Sequence, residues 1–399
     1  MRSTRPAKWM LPLALVSALA LSACSNDSGD EDSGSGGGLG GSDSGATYKI
    51  AFQGPLSGDN QQLGINEVNA VELAINQAND SGDLDFTLEL LRADDQGDPA
   101  IAPTAAAQVL QDEAVLGVVG PSFSGATNAV ATTYGDADMV MISPSATNDT
   151  LTQSNYPTFH RVVPPDGLEG VQLADYLAGQ DYSKVVVIDD LSDYGKGVAD
   201  TVQKTLEEAG VEVQRIGVDA ETTDYGATAT TVAGSGAEAM FYGGYDAQAG
   251  QLARALQTAG FEGDKYTGNG GKSSVFTEGA GDAGNGWYFS CGCSDAVTAP
   301  AAKDFTEAYT EEFGEDPSTY SPEAFDAANA MIEAIKAAAE DGEPTRASVA
   351  EAVNGLDYEG ITTTVKFQDD GELDAESQVI NLFQQEDGVI KILGDIQEQ

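Results

Sequence analysis

The feature that most constrains this chain is a rhythm: a short apolar run, then a stretch with helical spacing, repeated over roughly 350 residues. Tyr48-Lys49-Ile50-Ala51-Phe52 reads as a strand, and Val68, Val71, Ile75 and Ala78 recur at helical spacing after a Gly/Pro/Ser turn. Leu84, Phe86, Leu88 and Leu90 alternate as in a half-buried strand. Asp98-Pro99 is expected to open a helix running to about Asp112, with Val115 to Val119 as the next strand. A helix over Ser124 to Thr133 and a strand over Met139 to Ile142 follow. Such alternation predicts an α/β fold with parallel sheets covered by helices.

The rhythm then restarts. A helix at Leu168 to Leu177 precedes a buried strand at Lys184 to Ile188, a helix at Lys196 to Ala209 and a strand at Val211 to Val218. Ala239 to Tyr242, Gln248 to Ala259, Tyr266-Thr267 and Gly286 to Ser290 continue a second sheet. Long alanine-rich helices come next, Ala301 to Phe313 and Glu323 to Ala339, the latter with Ser321-Pro322 expected at N-cap and N1. Beyond a helix at Thr345 to Asn354, strands at Ile361 to Phe367 and Gln378 to Gln384 flank Asp369-Asp370-Gly371 and are expected to pair as a hairpin. That turn lacks the full ligand pattern of a calcium loop.

The N-terminus has a different character. Arg2, Arg5 and Lys8 precede an apolar segment from Trp9 to Ala20, too short for a membrane span and typical of a signal-peptide core. Leu21-Ser22-Ala23-Cys24 resembles a bacterial lipobox, which implies cleavage after residue 23 and thioether lipidation of Cys24; plain secretion with Cys24 incidental is the alternative. Residues 24–46 are almost devoid of apolar side chains and read as a tether reaching on the order of 25 Å.

The chain carries 65 acidic against 18 basic residues, a formal charge of −47. So negative a field argues against nucleic acid and anionic headgroups as partners, and for solubility where salt screens it. Cys291 and Cys293, two residues apart, are too few for a zinc site and the sole histidine, His160, is remote, so a local disulfide or two free thiols remain. His160 lies in a strand-like run with no nucleophile pattern around it, and Gly234-Ser235-Gly236 precedes a strand where a dinucleotide fingerprint would follow one. No catalytic site, metal or cofactor is expected.

Ligands of open parallel sheets bind beyond the carboxyl ends of strands. Two turns sit there. Gly120-Pro121-Ser122-Phe123-Ser124-Gly125 leads from a strand into a helix N-terminus, a natural anion cradle unless Ser122 or Ser124 is merely an N-cap. Ser143 to Asn148 ends the next strand, either as a polar clamp for a small zwitterion or as a loop with Asx and Ser/Thr turns.

Five segments, Gly54-Pro55-Leu56-Ser57-Gly58, Ala93 to Pro99, Met141 to Asn148, Asp193-Tyr194-Gly195-Lys196-Gly197 and Tyr242-Gly243-Gly244-Tyr245, together resemble the type I periplasmic binding proteins. The chain is most similar to their branched-chain amino acid (leucine/isoleucine/valine) group, which serves ABC importers. The resemblance covers everything from Tyr48 onward. It implies two Rossmann-like lobes joined by three hinge crossings, with residues 47–165 plus about 294–370 in lobe 1 and 166–293 plus about 371–399 in lobe 2. It also implies a monomer that delivers a small amino acid-like ligand to a membrane permease, or a ligand sensor on the same fold. Carried over residue by residue, Ser124, Ala146 and Thr147 would meet a ligand carboxylate, Tyr194 and Tyr245 would close over it, and Asp166 would be a polar cleft residue at the first crossing. Asn269 stands where the leucine binders carry a glutamate for the ligand ammonium, which opens the specificity to amides, urea or small carboxylates.

Overall fold

The computed structural model describes residues 45–154 and 156–399. The expected leader, Cys24 and nearly all of the tether lie outside the described residues. The first sheet uses β1 (Thr47–Gly54), β2 (Thr87–Asp94), β3 (Val115–Val119), β4 (Val140–Ser143) and β5 (Phe159–Arg161), all parallel in the order β2-β1-β3-β4-β5. Interleaved are α1 (Gln61–Ser81), α2 (Ala102–Gln111), α3 (Ser124–Gly135) and the single turn α4 (Thr150–Gln153). After α5 (Asp166–Ala178) the same order recurs from β6 (Lys184–Asp189), through α6 (Asp193–Glu208), β7 (Glu212–Gly217), α7 (Gly226–Gly234), β8 (Ala239–Gly243), α8 (Asp246–Ala259), β9 (Asp264–Thr267), α9 (Ser274–Ala280) and β10 (Trp287–Cys291). The chain then passes back to cover the first sheet with α10 (Lys303–Phe313), α11 (Ser321–Glu340) and α12 (Arg346–Asn354), followed by a small ribbon of β11 (Tyr358–Glu359) and β12 (Thr364–Val365). It ends in the second sheet with β13 (Asn381–Glu386) and β14 (Val389–Asp395), giving β14-β13-β10-β9-β8-β6-β7.

Every residue of β3, β4 and β8 is buried, as helices on both faces require. α11 lies so close to β3 that a Cβ on Gly117 would fall 2.3 Å from the Met331 sulfur, so any side chain there would have to displace the methionine. The chain passes between lobes three times, after β5, after β10 and after β12. In each lobe the first strand lies between the next two, β1 between β2 and β3, β6 between β7 and β8. The reversal opens a crevice at the strands' carboxyl ends.

Four sequence expectations change. The second sheet is mixed, because β13 and β14 run antiparallel to their neighbours. The expected hairpin across Asp369-Asp370-Gly371 does not form: β12 pairs with β11, and only a Phe367 to Leu373 bridge closes the turn. Residues 378–384 instead contribute to β13, because β10 offers a free edge on which Phe383 and Leu382 bury. The helix expected from Asp98 becomes regular only at Ala102, since Pro103 has no N–H to give the Pro99 carbonyl, and Asp98 ties a turn instead by accepting from the Ala100 N–H at 2.7 Å. Ser321 is the first residue of α11, not its cap. Tyr320 is the N-cap, at φ 68°, and Ser321 Oγ donates to the Asn66 carbonyl at 3.1 Å.

Candidate functional site

The cradle at the end of β3 is built by a sharp turn. Gly120 sits at φ 110°, where a Cβ would lie 2.3 Å from the Gln53 carbonyl oxygen, and this lets the chain double back into α3. Phe123 is the N-cap, so neither Ser122 nor Ser124 caps the helix. The Ser122 hydroxyl donates to Glu67 Oε2 at 2.5 Å, and Ser124 Oγ accepts from the Asn148 N–H at 3.2 Å. Ser143 and Ser145 then sew the following loop to the cradle, donating to the Pro121 and Ser122 carbonyls at 2.7 and 2.8 Å.

Arg161, fully buried at the end of β5, holds this loop from behind. Its Nη1 donates to the Ala146 and Asn148 carbonyls at 3.2 and 2.9 Å, and its Nε to Glu372 Oε2 at 2.8 Å. With its N–H also engaged by Ser143 Oγ at 3.0 Å, Ala146 has both backbone groups committed. Thr147 differs. Its Oγ1 is buried and unpartnered, as are both carboxylate oxygens of Asp166, whose backbone N–H donates to the Thr147 carbonyl at 2.8 Å. Burial pushes the Asp166 carboxyl well up and the nearby Glu169 charge adds to the shift, while the neighbouring Thr147 hydroxyl opposes it.

The second lobe supplies the facing wall. Tyr194, in the first turn of α6, accepts the Gly270 N–H at 3.0 Å. Tyr245, N-cap of α8, stacks on Phe123 of the first lobe with centroids 4.2 Å apart and lies 5.3 Å from Tyr194. Burial pushes both hydroxyls well up, and Asp166 is among the charges that add to it. A groove of about 690 Å³ stays open between the lobe rims, with Asp59 and Pro99 on one side and Asp193 and Glu221 on the other, but the enclosed space beside the Phe123–Tyr245 stack is about 10 Å³, room for one water at most. Leu63, Ser122, Phe123, Ser124 and Ser145 line it from the first lobe, Tyr194, Tyr245, Asn269 and Gly270 from the second, and Tyr320 from the start of α11. At this depth the lobes meet.

Four of the expected residues, Ser124, Tyr194, Tyr245 and Asn269, therefore meet at one cavity, with Thr147 and Asp166 buried next to them. Asn269 turns its side-chain amide onto Glu169 Oε2, while its backbone N–H donates to Glu169 Oε1 at 3.1 Å and Ser290 Oγ donates to the same oxygen at 2.7 Å. Burial lifts the Glu169 carboxyl to about 7, against the pull of these donors. Sequence reasoning missed Glu67, Glu169 and Tyr320. The available signals were an acid inside the apolar stripe of α1 and a second acid one turn beyond Asp166. Cys291 and Cys293 are disulfide-bonded, with Cα atoms 5.1 Å apart. Among the described residues, no group of three or more His, Cys, Asp or Glu side chains is arranged to hold a metal ion.

Residues 47–387 match the family model described as periplasmic binding protein. The chain belongs to that family. Among curated periplasmic binding proteins, a Leu/Ile/Val-binding protein homolog of Brucella melitensis is 31% identical over 88% of this chain and 94% of its own length. A leucine-, isoleucine-, valine-, threonine- and alanine-binding protein of Pseudomonas aeruginosa is 30% identical over 82% and 87%. Among solved periplasmic binding proteins, LivJ of Streptococcus pneumoniae in complex with isoleucine superposes with a TM-score of 0.79 at 26% identity, covering 87% of this chain and 99% of that one. A solute-binding protein of an ABC transporter from Rhodopseudomonas palustris in complex with benzoate shares the fold, with a TM-score of 0.77 at 18% identity over 88% and 96%.

Proposed function

We propose that this periplasmic binding protein is the non-catalytic capture subunit of an ABC importer and closes on a small α-amino acid, of the branched-chain or a related kind. The observation that carries this reading is a buried polar pair between the lobes, Thr147 Oγ1 and the Asp166 carboxyl, near enough for the hydroxyl to steady the carboxylate yet without a hydrogen bond of normal geometry. Buried polar atoms are nearly always paired, so a donor and an acid left open side by side fit the two ends of a zwitterion. The ligand carboxylate would take the Thr147 hydroxyl near the N-terminus of α3, where a helix favours negative charge. The ligand ammonium would face Asp166 and draw its carboxyl back to the charged form. LivJ holds isoleucine, and both curated relatives are named for binding branched-chain amino acids.

Thermal shift and calorimetry with a panel of amino acids, amides and short carboxylates test this. An amino acid should raise the melting midpoint, and Asp166→Asn should weaken its binding by about 30-fold or more, as removal of one partner of a buried charge pair does. A panel in which only carboxylates such as benzoate bind, unaffected by Asp166→Asn, overturns the amino acid reading.

The anchor completes the proposal. Lipidation of Cys24 and a tether of residues 25–46 would keep the lobes near the permease and raise their effective concentration there. Cys24→Ser is expected to move the protein from the membrane fraction to the soluble one with ligand affinity unchanged. Retention on the membrane would remove Cys24 from the anchor.

A further inference from the structure

Part of the cavity wall is not used by the backbone groups of an amino acid. Ser122, Ser145 and Tyr320 all line it. Both serine hydrogens are committed within the first lobe, Ser122 to Glu67 Oε2 at 2.5 Å and Ser145 to the Ser122 carbonyl at 2.8 Å. Their oxygens keep acceptor lone pairs and no spare hydrogen. The Tyr320 hydroxyl, in a residue only 3% exposed, has no partner, and neither has Glu67 Oε1 on a side chain with no exposed surface. Glu67 lies one helical turn beyond Leu63, another wall residue, and directly behind Ser122. No lysine or arginine lines the cavity.

An isobutyl or isopropyl group placed here would displace water from these oxygens and return nothing. A site that holds hydrogen-bonding groups in a dry pocket discriminates strongly against an analogue lacking the partner atom. We propose that the cleft selects an α-amino acid whose side chain carries a neutral hydrogen-bonding group, a hydroxyl or a carboxamide, over its aliphatic isostere. This rests on the amino acid reading above and, within it, favours a related polar amino acid over a branched-chain one. Burial pushes the Glu67 carboxyl up to about 8, which the Ser122 hydroxyl opposes, so the group is mostly neutral at pH 7. A hydroxyl or carboxamide both donates and accepts, and so can serve the serine oxygens and the Tyr320 hydroxyl together. Leu63 and Phe123 supply apolar contact for the rest of a short side chain.

Isosteric pairs isolate the effect. Calorimetry on the purified chain at pH 7 would compare threonine with valine and asparagine with leucine. At least one polar member is expected to bind about tenfold tighter than its isostere, and Ser145→Ala or Ser122→Ala should shrink that preference to threefold or less, with circular dichroism confirming the fold. Valine and leucine binding as tightly as their partners, or tighter, overturns the proposal and leaves the amino acid reading standing. A polar preference unchanged in both serine variants overturns its assignment to these oxygens. Binding by none of the four overturns both readings together.

Discussion

Glu169 is the residue on which the electrostatics of the cleft turn. Where the leucine binders are expected to carry a glutamate this chain has Asn269, and two acids, Asp166 and Glu169, lie on adjacent turns of α5 with Asn269 serving Glu169 as a double donor. Tyr194 from α6 and Tyr320 from α11 lie close enough for the Glu169 charge to raise their hydroxyls further. Because burial outweighs its donors, the Glu169 carboxyl titrates at about 7 in the folded chain, against 4.5 for a free side chain. The folded state therefore holds a proton that the unfolded chain has released between those values. The resulting stability is complete below about pH 4.5 and is lost as pH rises toward 7. Urea unfolding at pH 5 and pH 8 should show a fall in stability that is steeper in the native chain than in Glu169→Gln by roughly 2–3 kcal/mol. Equal falls would mean that Glu169 ionises in the folded protein as it does in solution.

At the scale of elements, what was legible follows from how local each signal is. β3 and β8 were readable because five consecutive apolar or small residues bounded by glycine allow little but a strand buried on both faces. β14 was not, since Val389, Ile392 and Leu393 on this edge strand remain exposed and the pattern never alternates cleanly. The hairpin misreading has the same root. Two strand-like runs around an Asp-Gly turn pair locally unless another edge competes, and β10 is an edge that no local pattern reveals. In the site, Ser124, Tyr194, Tyr245 and Asn269 were legible through motifs tied to strand ends. Glu67 and Tyr320 were not, because an acid on a helix reads as solvated until the packing of α1 beneath Ser122 shows otherwise. The φ of 68° at Tyr320 is likewise set by how α11 enters its place beside α1.

For the whole molecule the question is what holds two acidic lobes together. With a formal charge of −47, closure brings like charges near one another, and the cleft meets this with neutral donors facing carboxylates. Asn60 of the first lobe donates to Asp246 Oδ1 at 2.7 Å and to Gln248 Oε1 at 3.2 Å, Asn128 to Asp193 Oδ2 at 3.3 Å, and Asn148 to the Asp193 carbonyl at 2.6 Å. The Phe123–Tyr245 stack crosses the same gap. These bonds exist only when the lobes meet, so they set the closed fraction that a ligand must otherwise supply by differential affinity. Asn60→Ala removes the bonds to Asp246 and Gln248, yet Ser273 Oγ and the Ala247 N–H still serve the Asp246 carboxylate. The loss should be the net value of two hydrogen bonds, about 2 kcal/mol, which appears as a roughly thirtyfold rise in ligand Kd. Urea unfolding of the ligand-free protein should hardly change, since the lobes' own cores are untouched. A Kd that stays at the native value would show that Asn60 contributes nothing to closure, and a matching loss of unfolding stability would make its role one of folding rather than of the hinge.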